Sequence, residues 1–206
     1  MLLKIHPENP GERQMKIVVE CLLDGGVIIY PTDTVYALGC DMTRVKAVEK
    51  VARIKGIKVE KANFSLLCSS LSHLSDFTRP INNHFYKIMR RALPGPYTFI
   101  LNANNNVPRF FQSKKKTVGI RVPDHKVPIE MVEHLGNPIM TTSLHHDDEF
   151  LDYLTDPEEI FEKFNHLVDI VIDSGPGGLI PSTVIDCTGD ELIILREGLG
   201  TTELLY

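Results

Sequence analysis

Residues 11–40, GERQMKIVVECLLDGGVIIYPTDTVYALGC, hold a helix, a stop and two strands in immediate succession. Met15, Val18, Val19, Leu22 and Leu23 recur at helical spacing, and the pattern ends at Gly25-Gly26. VIIYP (27–31) is a short apolar run closed by proline, as buried strands are, and TVYALGC (34–40) reads as a second strand. A helix giving way at once to buried strands implies a sheet with helices laid on it.

The same alternation continues along the chain. TRVKAVEKVARIK (43–55) is an amphipathic helix with Val45, Val48, Val51 and Ala52 inward, its cations outward and Thr43 as N-cap. FSLLC is a strand, NNHFYKIMRRAL a helix stopped by PGP, and YTFIL and TVGIRVP are strands. PIEMVEHLG is a helix ended by Gly136, and PIMTTS is a strand. DPEEIFEKF has an acidic first turn suited to the positive end of a helix. VDIVIDSG, STVIDCT and LIILRE close the chain as strands. The fold class expected is α/β (α+β), one domain over residues 1–206, with a mixed sheet flanked by helices.

Composition agrees with that reading. Of 206 residues, 43% are apolar and 24% charged, the balance of an ordinary globular domain. The start, MLLKIHPENPGERQ, has no apolar segment of signal-peptide length, and no run is long enough to span a membrane, so a cytoplasmic protein is expected. Cys21, Cys40, Cys68 and Cys187 are widely spaced without a C-x-x-C pair, which argues for reduced thiols rather than zinc.

The net charge of −5 conceals a division. Residues 42–121 carry 16 Lys/Arg against 3 Asp/Glu, whereas residues 124–206 carry 3 against 18. Such asymmetry points to a basic surface for phosphates or nucleic acid, or to two solvated faces that attract one another.

Several strands end in hydroxyl residues: PTDTVY at 31–36, TTS at 141–143 and PST at 181–183. Ligands of open α/β sheets collect beyond strand ends, so three such clusters suggest a polar pocket. KGIK (55–58) offers two ammonium groups around a glycine but is no phosphate-binding P-loop. The segment 87–121 carries eight cations and no acid, with Arg109 beside Phe110 and Phe111 and a run at Lys114, Lys115 and Lys116. Arginine beside aromatics can stack on bases, although paired phenylalanines more often belong to a core. In TTSLHHDDE (141–149), the adjacent His145 and His146 diverge on any regular element, which disfavours a shared metal. Ser143 and His145 lack the G-x-S-x-G elbow of a hydrolase, so no metal site and no hydrolytic triad is expected.

Taken in order, PTDTVYALGCD, PGPYTFIL, VGIRVPDH, TTS, STVID and REG resemble the YrdC family from about residue 11 to residue 197. NFSLLC and TSLH look most like its YciO branch. The resemblance implies a twisted open sheet of the YrdC/RibB-like kind with a basic concave cavity. It also implies synthesis of threonylcarbamoyl-adenylate from L-threonine, bicarbonate and ATP with Mg2+, releasing pyrophosphate for the N6-threonylcarbamoyladenosine modification of tRNA. Binding of tRNA or double-stranded RNA is a further implication, for which Arg109, Lys114, Lys115 and Lys116 are the candidate residues.

Matched position by position, the resemblance implies a substrate pocket of Thr32, Thr34, Tyr36, Lys58, Arg121, Thr183 and Arg196. Lys55, Ser143 and His145 fall on the reacting motifs. Two motifs depart from the family. Its Lys-x-Arg is Lys55-Gly56-Ile57 here, and Lys58 cannot replace a guanidinium fork. Its Ser-x-Asn is Ser143-Leu144-His145, where an imidazole stands for an amide. The expectation is a YciO-like nucleotide- and RNA-binding protein with at most weak synthase activity. The alternatives are a competent synthase and a non-enzymatic rRNA- or tRNA-binding module.

Overall fold

The computed structural model describes residues 1–59, 62–108, 110, 116–144 and 154–205. Ten strands form one mixed sheet: β1 (Leu2–Lys4), β2 (Ile28–Tyr30), β3 (Ala37–Asp41), β4 (Ser65–Leu67), β5 (Tyr97–Asn102), β6 (Thr117–Arg121), β7 (Ile139–Ser143), β8 (Ile170–Asp173), β9 (Thr183–Asp186) and β10 (Ile193–Arg196). Their spatial order is β1-β8-β2-β3-β7-β4-β6-β5-β9-β10. The pairs β1/β8, β2/β8, β4/β6 and β5/β9 run parallel, and the other neighbours are antiparallel.

The helices are α1 (Glu12–Leu23), α2 (Val45–Ile54), α3 (Leu71–Ser75), α4 (Asn83–Ala92), α5 (Lys126–Leu135) and α6 (Pro157–Phe164). Strand residues alternate between two apolar clusters, as a pleat of period two requires. Ile29, Leu38, Leu66, Met140 and Val171 join α2, α4 and α6 on one face. Ile28, Tyr30, Ala37, Leu67, Ile139, Ile170 and Ile172 join α1 and α5 on the other. No described residue of β5, β6 or β9 belongs to that second cluster. Instead the face carries Ser65, Thr98, Gly119, Arg121 and Thr141, small or polar residues interrupted by Ile100 and Val184. Helices α1 and α5 thus cover only half of their face, and the uncovered half is the more polar one.

Several expectations need correction. Thr43 does not cap α2: the N-cap is Arg44, while Thr43 N and Oγ1 both donate to Asp41 Oδ1 at 2.9 Å. The buried Asp41 carboxylate is the stronger acceptor and claims the hydroxyl. Val45 and Leu23 are exposed, because each sits at a helix end where the apolar stripe has rotated off the sheet. Strand β3 starts only at Ala37, since Thr32 and Thr34 form a hydroxyl-bonded turn that occupies the residues before it. Neither β1 nor α3 was expected, both being too short for a periodic signal. Gly136 does end α5, in the left-handed conformation at φ 74° that a side chain disfavours.

Candidate substrate pocket

Arg121 is the last residue of β6 and lies on the uncovered polar face, nine-tenths buried. Its Nη2 donates to Asp33 Oδ1 and to Thr34 Oγ1, both at 3.0 Å. The turn carrying those partners is self-braced: Thr32 Oγ1 donates to Val35 O at 2.8 Å and accepts from Thr34 N at 3.1 Å. Burial pushes the Arg121 pKa down, with Asp33 and Tyr30 opposing that shift and the Arg196 cation adding to it. Arg121 Nε and Asp33 Oδ2 are both buried without a hydrogen-bond partner. Buried polar atoms are normally satisfied, so among the described residues this pair keeps one unmet donor and one unmet acceptor.

A second group lies across the same face. Thr98 Oγ1 and Ser182 Oγ are 2.8 Å apart and buried. Arg196 Nη2 and Nε donate to Ser182 O at 2.8 and 3.2 Å, although Arg196 is itself an exposed residue. Thr183 pairs with Tyr97, a member of the first cluster, and so turns to the opposite face. Its Oγ1 donates to Gly200 O at 2.6 Å and accepts from Gly198 N at 3.0 Å, which ties down the segment after β10. Ser182, the middle residue of the PST cluster, therefore carries the hydroxyl on this face.

Lys55, at the end of α2, is buried and its Nζ donates to Ser143 O at 3.0 Å. Ile57 is half-buried against the first apolar cluster, and Lys58 is exposed. Tyr36 OH donates to Gly175 O at 2.8 Å, and burial pushes its pKa up to about 12, so it stays a donor. Gly178 N donates to Thr34 O at 2.7 Å, and a methyl group on Gly178 would collide with that same oxygen. The loop after β8 can therefore close on the Thr32–Thr34 turn only because Gly178 has no side chain. Arg109, Lys114, Lys115 and His145 lie outside the described residues, and Lys116 is exposed. Among the described residues no cluster of three or more His, Cys, Asp or Glu could hold a metal ion, and no helix is long and apolar enough to cross a membrane.

Sequence reasoning passed over Asp33 and Thr98, and from the PST cluster it took Thr183 rather than Ser182 as the site residue. Asp33 stood in view between two chosen threonines, an acid closing a turn where only hydroxyls were sought. Thr98 gives no such sign, since it reads as one more residue of an apolar strand.

Comparison with known proteins identifies the family and the fold. The Escherichia coli protein YciO is 42% identical over 198 residues, covering 95% of this chain and 94% of its own. Its crystal structure superposes with a TM-score of 0.93 over 100% of this chain and 99% of that one. Sua5 of P. abyssi, solved with L-threonine, is 26% identical with a TM-score of 0.87, over 96% of this chain and 57% of the longer Sua5 chain. A threonylcarbamoyl-AMP synthase of Saccharophagus degradans is 34% identical over 125 residues, 61% of this chain and 65% of the synthase. The family model Sua5_yciO_yrdC, described as telomere recombination, matches residues 20–198, and the chain belongs to that family, on its YciO side and related to the threonylcarbamoyl-AMP synthases.

Proposed function

We propose that the chain is a nucleotide- and RNA-binding protein of the cytoplasm whose pocket accepts L-threonine and ATP with its magnesium but makes L-threonylcarbamoyladenylate only weakly. The observation that carries this reading is the pair of buried, unpartnered atoms, Arg121 Nε and Asp33 Oδ2, beside Thr34. A carboxylate can accept from the first and an ammonium group can donate to the second, which is the pattern of an amino acid. The L-threonine complex of the related Sua5 supports that assignment.

Synthesis also needs cations on the phosphates as negative charge develops. Lys55 is held on the Ser143 carbonyl, while Ile57 contributes hydrocarbon where the family has a guanidinium. Losing one such charge-assisted contact costs about 2–4 kcal/mol in the transition state, roughly 30- to 1000-fold in rate. The reading is tested by incubating the protein with ATP, Mg2+, bicarbonate and L-threonine, and scoring pyrophosphate and the adenylate. Turnover equal to that of an enzyme with intact motifs would overturn it. Ile57→Arg combined with His145→Asn raises turnover if the two departures cause the weakness, and no change refutes that cause.

A further inference from the structure

We propose that the chain has a second small-molecule site, for a zwitterionic α-amino acid, at the far end of strands β5 and β9. The two strands run parallel, with Thr98 and Ser182 at their beginnings and Asn102 and Cys187 at or just past their ends. Four residues of strand separate Thr98 from Asn102, a distance of roughly 13 Å. A cavity of about 160 Å3 opens there between the start of α4, the end of β5 and the loop after β9.

Its walls are held in place by the backbone. Arg79 N donates to Asn102 O at 2.8 Å, and Cys187 N donates to Ile100 O at 2.9 Å. Asn102 Nδ2 donates to Thr188 O at 3.2 Å, and Thr188 N donates to Asp186 Oδ1 at 2.9 Å. Buried Phe85 and Leu101 supply apolar lining. The Cys187 thiol, 6% exposed, is held protonated because burial and the Asp186 charge push its pKa up to about 12. It adds a neutral wall, not a charge.

The charges that line this cavity decide the ligand. Arg79 and Asp190 both border it, and neither enters an ion pair among the described residues. The first turn of α4 contains no acid, so the positive end of that helix adds to the Arg79 side. An inorganic anion would meet Asp190, and a simple cation would meet Arg79. A zwitterion satisfies both, its carboxylate toward Arg79 and its ammonium toward Asp190. The cavity volume and its mostly polar lining suit a small molecule held chiefly by its charged groups.

The test is an NMR titration of backbone amides with L-alanine as the probe. Saturable shifts are expected at Asn102, Thr188 and Gly189. Acetate and methylammonium, each carrying one of the two charges, bind at least about tenfold more weakly, as do Arg79→Ala and Asp190→Asn proteins. Both substitutions fall on exposed residues, and amide dispersion verifies that the variants are folded. The proposal is overturned if millimolar L-alanine leaves these amides unshifted, if acetate binds as tightly, or if either variant keeps full affinity. Amides of Arg121 and Ser182 report on the substrate pocket independently, so failure at one site is distinct from failure at the other.

Discussion

Arg121 and Asp33 are 88 residues apart in sequence and meet at 3.0 Å, with side chains only 9% and 8% exposed. A buried ion pair contributes little net stability, because desolvation offsets the attraction, but removing one partner strands the other charge. Asp33→Asn should therefore destabilise the protein by about 3–5 kcal/mol in urea unfolding, although the pair itself is worth far less. The combined change Asp33→Leu with Arg121→Met should cost less than the two single changes together. Additive losses would mean that the residues do not act as a pair. Neither partner is legible as such in the sequence: Thr32, Thr34 and Arg121 came from a family resemblance. Ser182 comes to the Arg121 side of the sheet by topology alone, since the sheet order sets β6 beside β5, which in turn lies beside β9.

At the scale of elements, Asp169 joins four segments just before β8. Its Oδ2 accepts from Val27 N at 2.8 Å and from Lys50 Nζ at 2.9 Å, and its carbonyl accepts from the Met1 ammonium at 2.6 Å. Partial burial pushes the carboxyl pKa up, but the Val27 hydrogen bond and the Lys50 and N-terminal charges outweigh it and hold the value below the usual one. A carboxyl with a lowered folded pKa favours folding above its unfolded value of about 3.9 and loses that contribution as pH falls through the folded value. Asp169→Asn should thus lower stability near neutral pH and flatten its decline below about pH 4, read from urea midpoints across pH. An unchanged acid slope would remove Asp169 from the acid response. The effect is modest, because both partners of the Lys50 pair are substantially exposed. Helices such as α1 and α4 were legible because their signal is local and periodic. The knot at Asp169 was not, because it depends on β1, β2, α2 and β8 converging.

Across the whole molecule, the sequence division of charge becomes a spatial arrangement that the sequence alone did not reveal. The basic stretch 42–121 supplies β4, β6 and β5, which are contiguous in the sheet. The acidic stretch supplies their neighbours β7 and β9, but β4, β5 and β7 carry no charge, β6 only Arg121 and β9 only Asp186, so the charge of both stretches lies in helices and loops. An RNA backbone attracted to this molecule would find the exposed Lys87, Arg90 and Arg91 of α4 and the exposed Lys116, with Lys114 and Lys115 next in sequence. Each phosphate neutralised by a cation releases counterions, so affinity falls with salt in proportion to the number of contacts. Replacing Lys114, Lys115 and Lys116 together by alanine should weaken binding of a double-stranded RNA and reduce the slope of log K against log salt by about 2–3. The fluorescence anisotropy of a labelled duplex measures both quantities. If the slope is unchanged, Lys87→Ala, Arg90→Ala and Arg91→Ala in one protein should produce the same loss, moving the contact to α4. Full affinity in both triple variants would remove these cations as a surface for RNA.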